Sequence, residues 1–197
     1  MNPCETAPNC DLVDYPAEIA RIHQELGIAT DYARRRHLDL QAEATGLVQT
    51  DTDLAGRVRC LIPKAASAWQ ELKAAAAEAG HVLQLVSAFR SVEYQRGIII
   101  RKRERGLAWD DIFRFSAAPG YSEHHTGRAV DLTTPGCPPL EEAFAATPAF
   151  QWLQQHAPSL GWRMSYPPDN PHGIAYEPWH WIYQLPNGEA PERVVAS

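Results

Sequence analysis

The sequence predicts an α+β fold in which a small antiparallel β-sheet is flanked by helices and preceded by an N-terminal extension. Three observations lead there. Helical periodicity comes early and recurs between widely spaced strands, regular β-α alternation is missing, and no Gly-rich phosphate loop is present. Two aromatic-rich segments near the C-terminus also read as strands around a loop rich in Pro, Asn and Gly.

The elements follow in order. Residues 1 to about 15 form an irregular lead containing Pro and Asn. Pro16–Leu26 carries Ile19, Ile22 and Leu26 at helical spacing, with Pro16 in the first turn and Gly27 as a stop. His37–Ala44 alternates with period two and reads as a strand with one exposed face, and Thr50–Gly56 as a polar loop. Pro63–Ala79 is the clearest helix: Ala65, Ala68, Trp69 and Leu72 are in phase, and Gly80 follows its end. His81–Phe89 reads as a buried strand, Ser91 as the N-cap of a helix running to about Arg105, and Thr147-Pro148 as the start of another through Gln155. Trp162–Tyr166 and Trp179–Tyr183 are the aromatic strands. The expected division is an extension over residues 1–55 and one domain over 56–197.

Composition narrows the function classes. In 197 residues, 45% apolar and 21% charged, there is room for one ordinary core. The formal charge of −6 lacks the basic footprint that nucleic acid demands. Arg34-Arg35-Arg36 and the run Arg101–Arg105 read as solvated faces. No apolar run reaches the roughly 20 residues that span a bilayer. The first ten residues have no apolar core of a secretory leader, and the four cysteines are too few for a disulfide scaffold, although Cys4 and Cys10 could close a small loop in an oxidising compartment.

The chemistry sits in two segments. In Ser122–Leu132 (S-E-H-H-T-G-R-A-V-D-L), Asp131 interrupts a short apolar strand, and a half-buried carboxylate needs an arginine, a backbone amide or a metal beside it. In Glu177–Trp181 (E-P-W-H-W), a carboxylate and an imidazole lie three apart among aromatics. Together they supply two imidazoles, a ligand carboxylate and a spare carboxylate, the parts of a catalytic zinc site with an open position for water and a base. A metal earns its place energetically: bringing bound water from a pKa of about 15.7 to about 7 amounts to about 12 kcal/mol. His124 and His125 diverge, so one of them binds, and spacing does not choose. Glu177 and His180 would face opposite sides of a regular strand, so Pro178 predicts a bulge that brings both round.

The segment from Ser122 to Asp131 resembles the S-x-H-x-x-G-x-A-x-D signature of zinc D-alanyl-D-alanine carboxypeptidases, including those associated with vancomycin resistance. Glu177-Pro178-Trp179-His180 is similar to their E-x-W-H element. Ser87-Ala88-Phe89-Arg90-Ser91 with Glu93-Tyr94-Gln95 resembles their S-G-Y-R-S-x-x-Y-Q segment, and Gly161-Trp162 with Tyr166-Pro167 their G-F-x-x-R-Y-P element. The matches keep family order across about residues 57–185. Ser165 stands where the family often has arginine, and Ala88 and Phe89 replace Gly and Tyr.

The resemblance implies Zn2+ held by His124, Asp131 and His180, with Glu177 as the base and His125 outside the ligand set. Arg90 would meet the substrate's terminal carboxylate or the developing oxyanion, Ser122 and Gln95 would hydrogen-bond its backbone, and Trp179 would line the cleft. The implied function is removal of the C-terminal D-Ala from peptidoglycan stem peptides, in a periplasmic or extracytoplasmic setting, by a monomer with no nucleic-acid partner and no membrane span. Alternatives are L,D-carboxypeptidase action on tetrapeptides, a peptidoglycan endopeptidase or lysin, and a non-catalytic zinc-stabilised binding module. Retention of Glu177 argues against the last, because a structural zinc needs no base.

Overall fold

The computed structural model describes residues 14–185; the expected irregular lead falls mostly outside them, as does the Cys4–Cys10 loop. Chain order is α1 (Tyr15–Leu26), α2 (Tyr32–Arg36), β1 (Val48–Thr52), β2 (Val58–Leu61), α3 (Pro63–Glu78), β3 (Gln84–Ser87), α4 (Val92–Glu104), α5 (Trp109–Arg114), β4 (Ala129–Thr133), α6 (Pro148–His156), β5 (Trp162–Met164) and β6 (His180–Tyr183). The architecture is α+β: β1 and β2 form a hairpin, and β3-β4-β6-β5 form a second sheet whose neighbours all run antiparallel. No helix among the described residues is long and apolar enough to cross a membrane.

Local chemistry accounts for the elements. α3 opens on Pro63 and buries Ala65, Ala68, Trp69, Leu72 and Ala76 against the inner face of the four-stranded sheet, where Val130, Leu132, Trp162 and Trp181 meet Phe150 and Leu153 of α6. Apolar burial of each large side chain is worth about 1.5–3 kcal/mol, so this cluster is what fixes the sheet. Ser91 caps α4 by accepting from Tyr94 N at 3.0 Å, and Thr147 caps α6 by accepting from Phe150 N at 3.2 Å.

Three expectations change, and one helix, α5, had none. His37–Ala44 forms no strand: its partner is an irregular turn, with Gln41 N donating to Gly120 O and Ala44 N to His125 O, both at 2.8 Å. Thr50–Thr52 belongs to β1, so only residues 53–56 turn, and residue 55 lies inside the hairpin connection. α5 carried no recognisable signal in the sequence. The basic runs are not wholly solvated. Arg36 Nη1 donates to the carbonyls of Phe113 (2.8 Å), His172 and Gly173 (both 3.2 Å), and Lys102 turns toward a cleft described below.

Candidate metal centre

Antiparallel pairing sets Asp131 of β4 directly beside His180 of β6. His124 arrives from a single 3-10 turn, Glu123–Thr126, which ends at Gly127 with φ +63°. That glycine is required twice over. Its φ lies in the left-handed region, and a Cβ there would stand 2.9 Å from Leu47 Cδ2 and 3.0 Å from Ile62 Cγ2. Glu177 lies just ahead of β6, where a turn closed by His180 N donating to Glu177 O at 3.1 Å replaces the expected bulge. Pro178 sits inside this turn, so the opposite-face problem of a regular strand does not arise.

His124, Asp131 and His180 each offer a ligand atom, all within 4.8 Å of one another and all buried. His124 Nε2 is 3.2 Å from Asp131 Oδ2, and His180 Nδ1 is 3.0 Å from Asp131 Oδ1. The tautomers are set from behind. His124 Nδ1 donates to Ala88 O at 2.6 Å, which leaves Nε2 as a buried lone pair without a hydrogen-bond partner. Buried polar atoms are rarely left so, and two imidazole nitrogens and a carboxylate are the donor set of a catalytic zinc with one open position. The residues present fit the metal.

Glu123 was overlooked in the sequence. Its Oε2 accepts from His180 Nε2 at 2.9 Å and from Ser165 Oγ at 2.5 Å. The carboxylate therefore turns His180 Nδ1 inward, the arrangement by which a partner outside the ligand set orients a metal-binding imidazole. Ser165, the departure from the family's arginine, is what steadies that carboxylate. Burial alone would lower His180, but its hydrogen bonds to Asp131 and Glu123 carry it up to about 10.

His125 is fully used elsewhere: Nδ1 donates to Arg90 O at 2.6 Å and Nε2 accepts from Gly120 N at 3.1 Å. Burial pushes it down to about 3, so it stays neutral and structural. Arg90, Ser122, Trp179 and Glu177 line one cavity of about 410 Å³ with the three donors. Burial raises Glu177 to about 7, opposed by the charges of His180 and Arg90. Gln95 does not line that cavity; it is wholly buried and donates to Ala117 O at 2.7 Å, supporting the wall from behind. Tyr166 joins the wall, its ring 4.9 Å from that of His180.

The chain is similar in sequence and fold to several known proteins. The D-alanyl-D-alanine carboxypeptidase family model, VanY, matches residues 59–186. The bifunctional D-Ala-D-Ala dipeptidase and carboxypeptidase VanXYC of Enterococcus gallinarum is 32% identical over 133 residues, covering 62% of this chain and 66% of its own. The structure of the LdcB LD-carboxypeptidase superposes with a TM-score of 0.65 at 26% identity, over 92% of this chain and 84% of LdcB. A mutant of the vancomycin-resistance D,D-pentapeptidase VanY in complex with Zn(II) superposes at 0.55 with 25% identity, over 72% and 79%. The chain spans between 42% and 66% of the length of the curated relatives it matches.

Proposed function

The chain belongs to the VanY family of D-alanyl-D-alanine carboxypeptidases, and from that premise we propose that it is a zinc-dependent peptidase that removes the C-terminal D-alanine from peptidoglycan stem peptides. The observation that carries this reading is the shared cavity in which an unpartnered His124 Nε2, Asp131 and His180 face a separate carboxylate, Glu177. Zinc, when bound by His124, Asp131 and His180, supplies a Lewis acid that polarises the scissile carbonyl and acidifies water.

The protein's own groups do the rest. Glu177, held near pH 7 by burial, takes a proton from the attacking water and returns it to the leaving amine. Arg90 is fixed by its backbone to the ligand-bearing turn, with Arg90 N donating to His124 O at 3.2 Å, and its guanidinium faces negative charge growing on the carbonyl oxygen. Ser122 and Trp179 contact the peptide, while Gln95 acts through Ala117. Every group in this reading falls within residues 56–197, braced from behind by residues 41–47. A peptidoglycan substrate places the protein outside the cytoplasm, and Cys60, which is disulfide-bonded, suits an oxidising compartment.

A second reading, L,D-carboxypeptidase action on tetrapeptides, has the extensive superposition on LdcB in its favour. Mass spectrometry of purified penta- and tetrapeptide stems incubated with the zinc-loaded protein separates the two. The pentapeptide is expected to lose one D-Ala and stop; shortening of the tetrapeptide instead selects the L,D reading, and no shortening of either rejects both.

A further inference from the structure

A free-carboxylate peptidase needs two anion-binding functions, one for the carbonyl oxygen that becomes charged and one for the terminal carboxylate. The cavity holds two cations. Besides Arg90 it is lined by Lys102, which α4 brings to the cleft on the same side as Ile98, one turn earlier. Val92, Gln95 and Ile99 are the buried stripe of this helix, and Lys102 continues that stripe where another apolar residue would ordinarily stand. Arg101 and Arg103, its neighbours in the basic run, are by contrast exposed.

Two features mark Lys102 as more than a snorkelling surface lysine. Its Nζ is held by Ser116 Oγ at 2.7 Å, which aims the ammonium along the cavity wall. Among the described residues it makes no ion pair, and neither does Arg90, the other cation that lines this cavity. Burial and the neighbouring Arg90 charge lower its proton affinity, against an opposing effect of Glu177. Both cations line the cavity of the metal ligands: Arg90 is tied through its backbone N to His124 O, and Lys102 reaches the cavity from α4. In the peptide the terminal carboxylate lies one residue beyond the scissile carbonyl, about 3.8 Å from one Cα to the next. The exposed apolar side chains of Phe115 and Leu140 line the same cavity.

We propose that Lys102, held by Ser116, is the residue that takes the C-terminal carboxylate of the substrate, and that Arg90 is thereby free to serve the carbonyl oxygen. This rests on the peptidase reading above. It makes the carboxylate preference a property of α4 and the 115–117 segment, outside the motifs of the metal site.

The test measures binding, so that it does not depend on turnover. A zinc-loaded Glu177→Ala protein is titrated calorimetrically with a D-Ala-D-Ala-terminated stem peptide as the free acid and as the C-terminal amide. A charge-assisted hydrogen bond of about 1.5–3 kcal/mol corresponds to about 10–100-fold in affinity. The preference for acid over amide should therefore fall about 10–100-fold in Lys102→Met, recover in part in Lys102→Arg, and fall by a smaller factor in Ser116→Ala. An unchanged preference in Lys102→Met overturns the assignment. So does a Lys102 dependence that persists on the amide, which would place a side-chain carboxylate of the stem at Lys102. If neither peptide binds the zinc-loaded protein, the peptidase reading fails and this inference with it; if both bind equally, the peptidase reading survives and this inference alone fails. In the active parent background Lys102→Met should act on KM, and Arg90→Met on kcat.

Discussion

Two buried carboxylates, Asp53 and Asp131, show how the same group is made structural in one place and chemical in another. Asp53, at the β1–β2 turn, is saturated. Oδ1 accepts from Ala55 N and Arg57 N, while Oδ2 accepts from Arg57 Nε at 2.8 Å and Arg59 Nη2 at 2.5 Å. Burial would raise it, but those donors hold it at about 2, and nothing remains to bind. Asp131 is compensated only by His124 and His180, and the lone pair on His124 Nε2 has no partner. Arginine closes a site because its fork permanently carries its own charge and donors. Imidazole leaves a site open, because the His124 ring keeps an unpartnered nitrogen beside the carboxylate.

Four substitutions, at Asp131, Glu177, Glu123 and Asp53, sharpen or break that contrast. Asp131→Ala should abolish zinc uptake, read as metal content after dialysis, and reduce peptide cleavage to background; stoichiometric zinc in this variant would refute the open-site account. Glu177→Gln should keep zinc and lose about 10²–10⁴ in kcat, in line with removal of a general base. The pH dependence follows in sign. A base works ionised, so cleavage by the parent rises with pH through an acid limb at or below about 7, since a bound cation favours the carboxylate.

Stability runs the other way. The folded-state value of Glu177 lies above the ordinary 4.5, so its contribution is complete below 4.5 and declines as pH rises to about 7, by roughly 3 kcal/mol in all. Metal-free Glu177→Gln should therefore melt above the metal-free parent at pH 8 and level with it at pH 4.5 by calorimetry. Glu123→Gln should weaken zinc affinity about 10–100-fold in a competitive chelator titration, as loss of a histidine-orienting carboxylate does. Asp53→Asn is the smallest effect. It should cost on the order of 2 kcal/mol in urea unfolding at neutral pH while zinc content and kcat stay at parental values. Its folded-state value is depressed, so the stability it gives is present above about 4 and disappears as pH falls toward 2. A loss of zinc in Asp53→Asn would erase the distinction between the two carboxylates.

The sequence disclosed the centre better than its surroundings. His124, Asp131, His180 and Glu177 stand in short segments that resemble the family's motifs, and the resemblance, where spacing does not choose, separates His124 from His125. α1, α3, α4 and α6 were equally readable, because Pro at the start, Ser or Thr caps and Gly at the end are local signals. What escaped depends on partners distant in the chain. His37–Ala44 has the alternation of a strand, yet whether it becomes one is decided by residues 120–125, some 80 positions on. Glu123 looks like a variable motif position until β6 delivers His180 against it. Lys102 is hidden by its company, since a single inward residue in a run of cations is distinguishable only by the phase of the helix.

The bracing of the 3-10 turn has a practical corollary. Gly120 and His125 surrender their carbonyls to Gln41 and Ala44, and Leu47 seals the hollow over Gly127. Anyone trimming the gene to the stretch that matches the family, residues 59–186, would remove that scaffolding while keeping every reactive group. Such a fragment would hold a complete chemical inventory on an unsupported mount, so the smallest portable version of this catalyst begins ahead of residue 41.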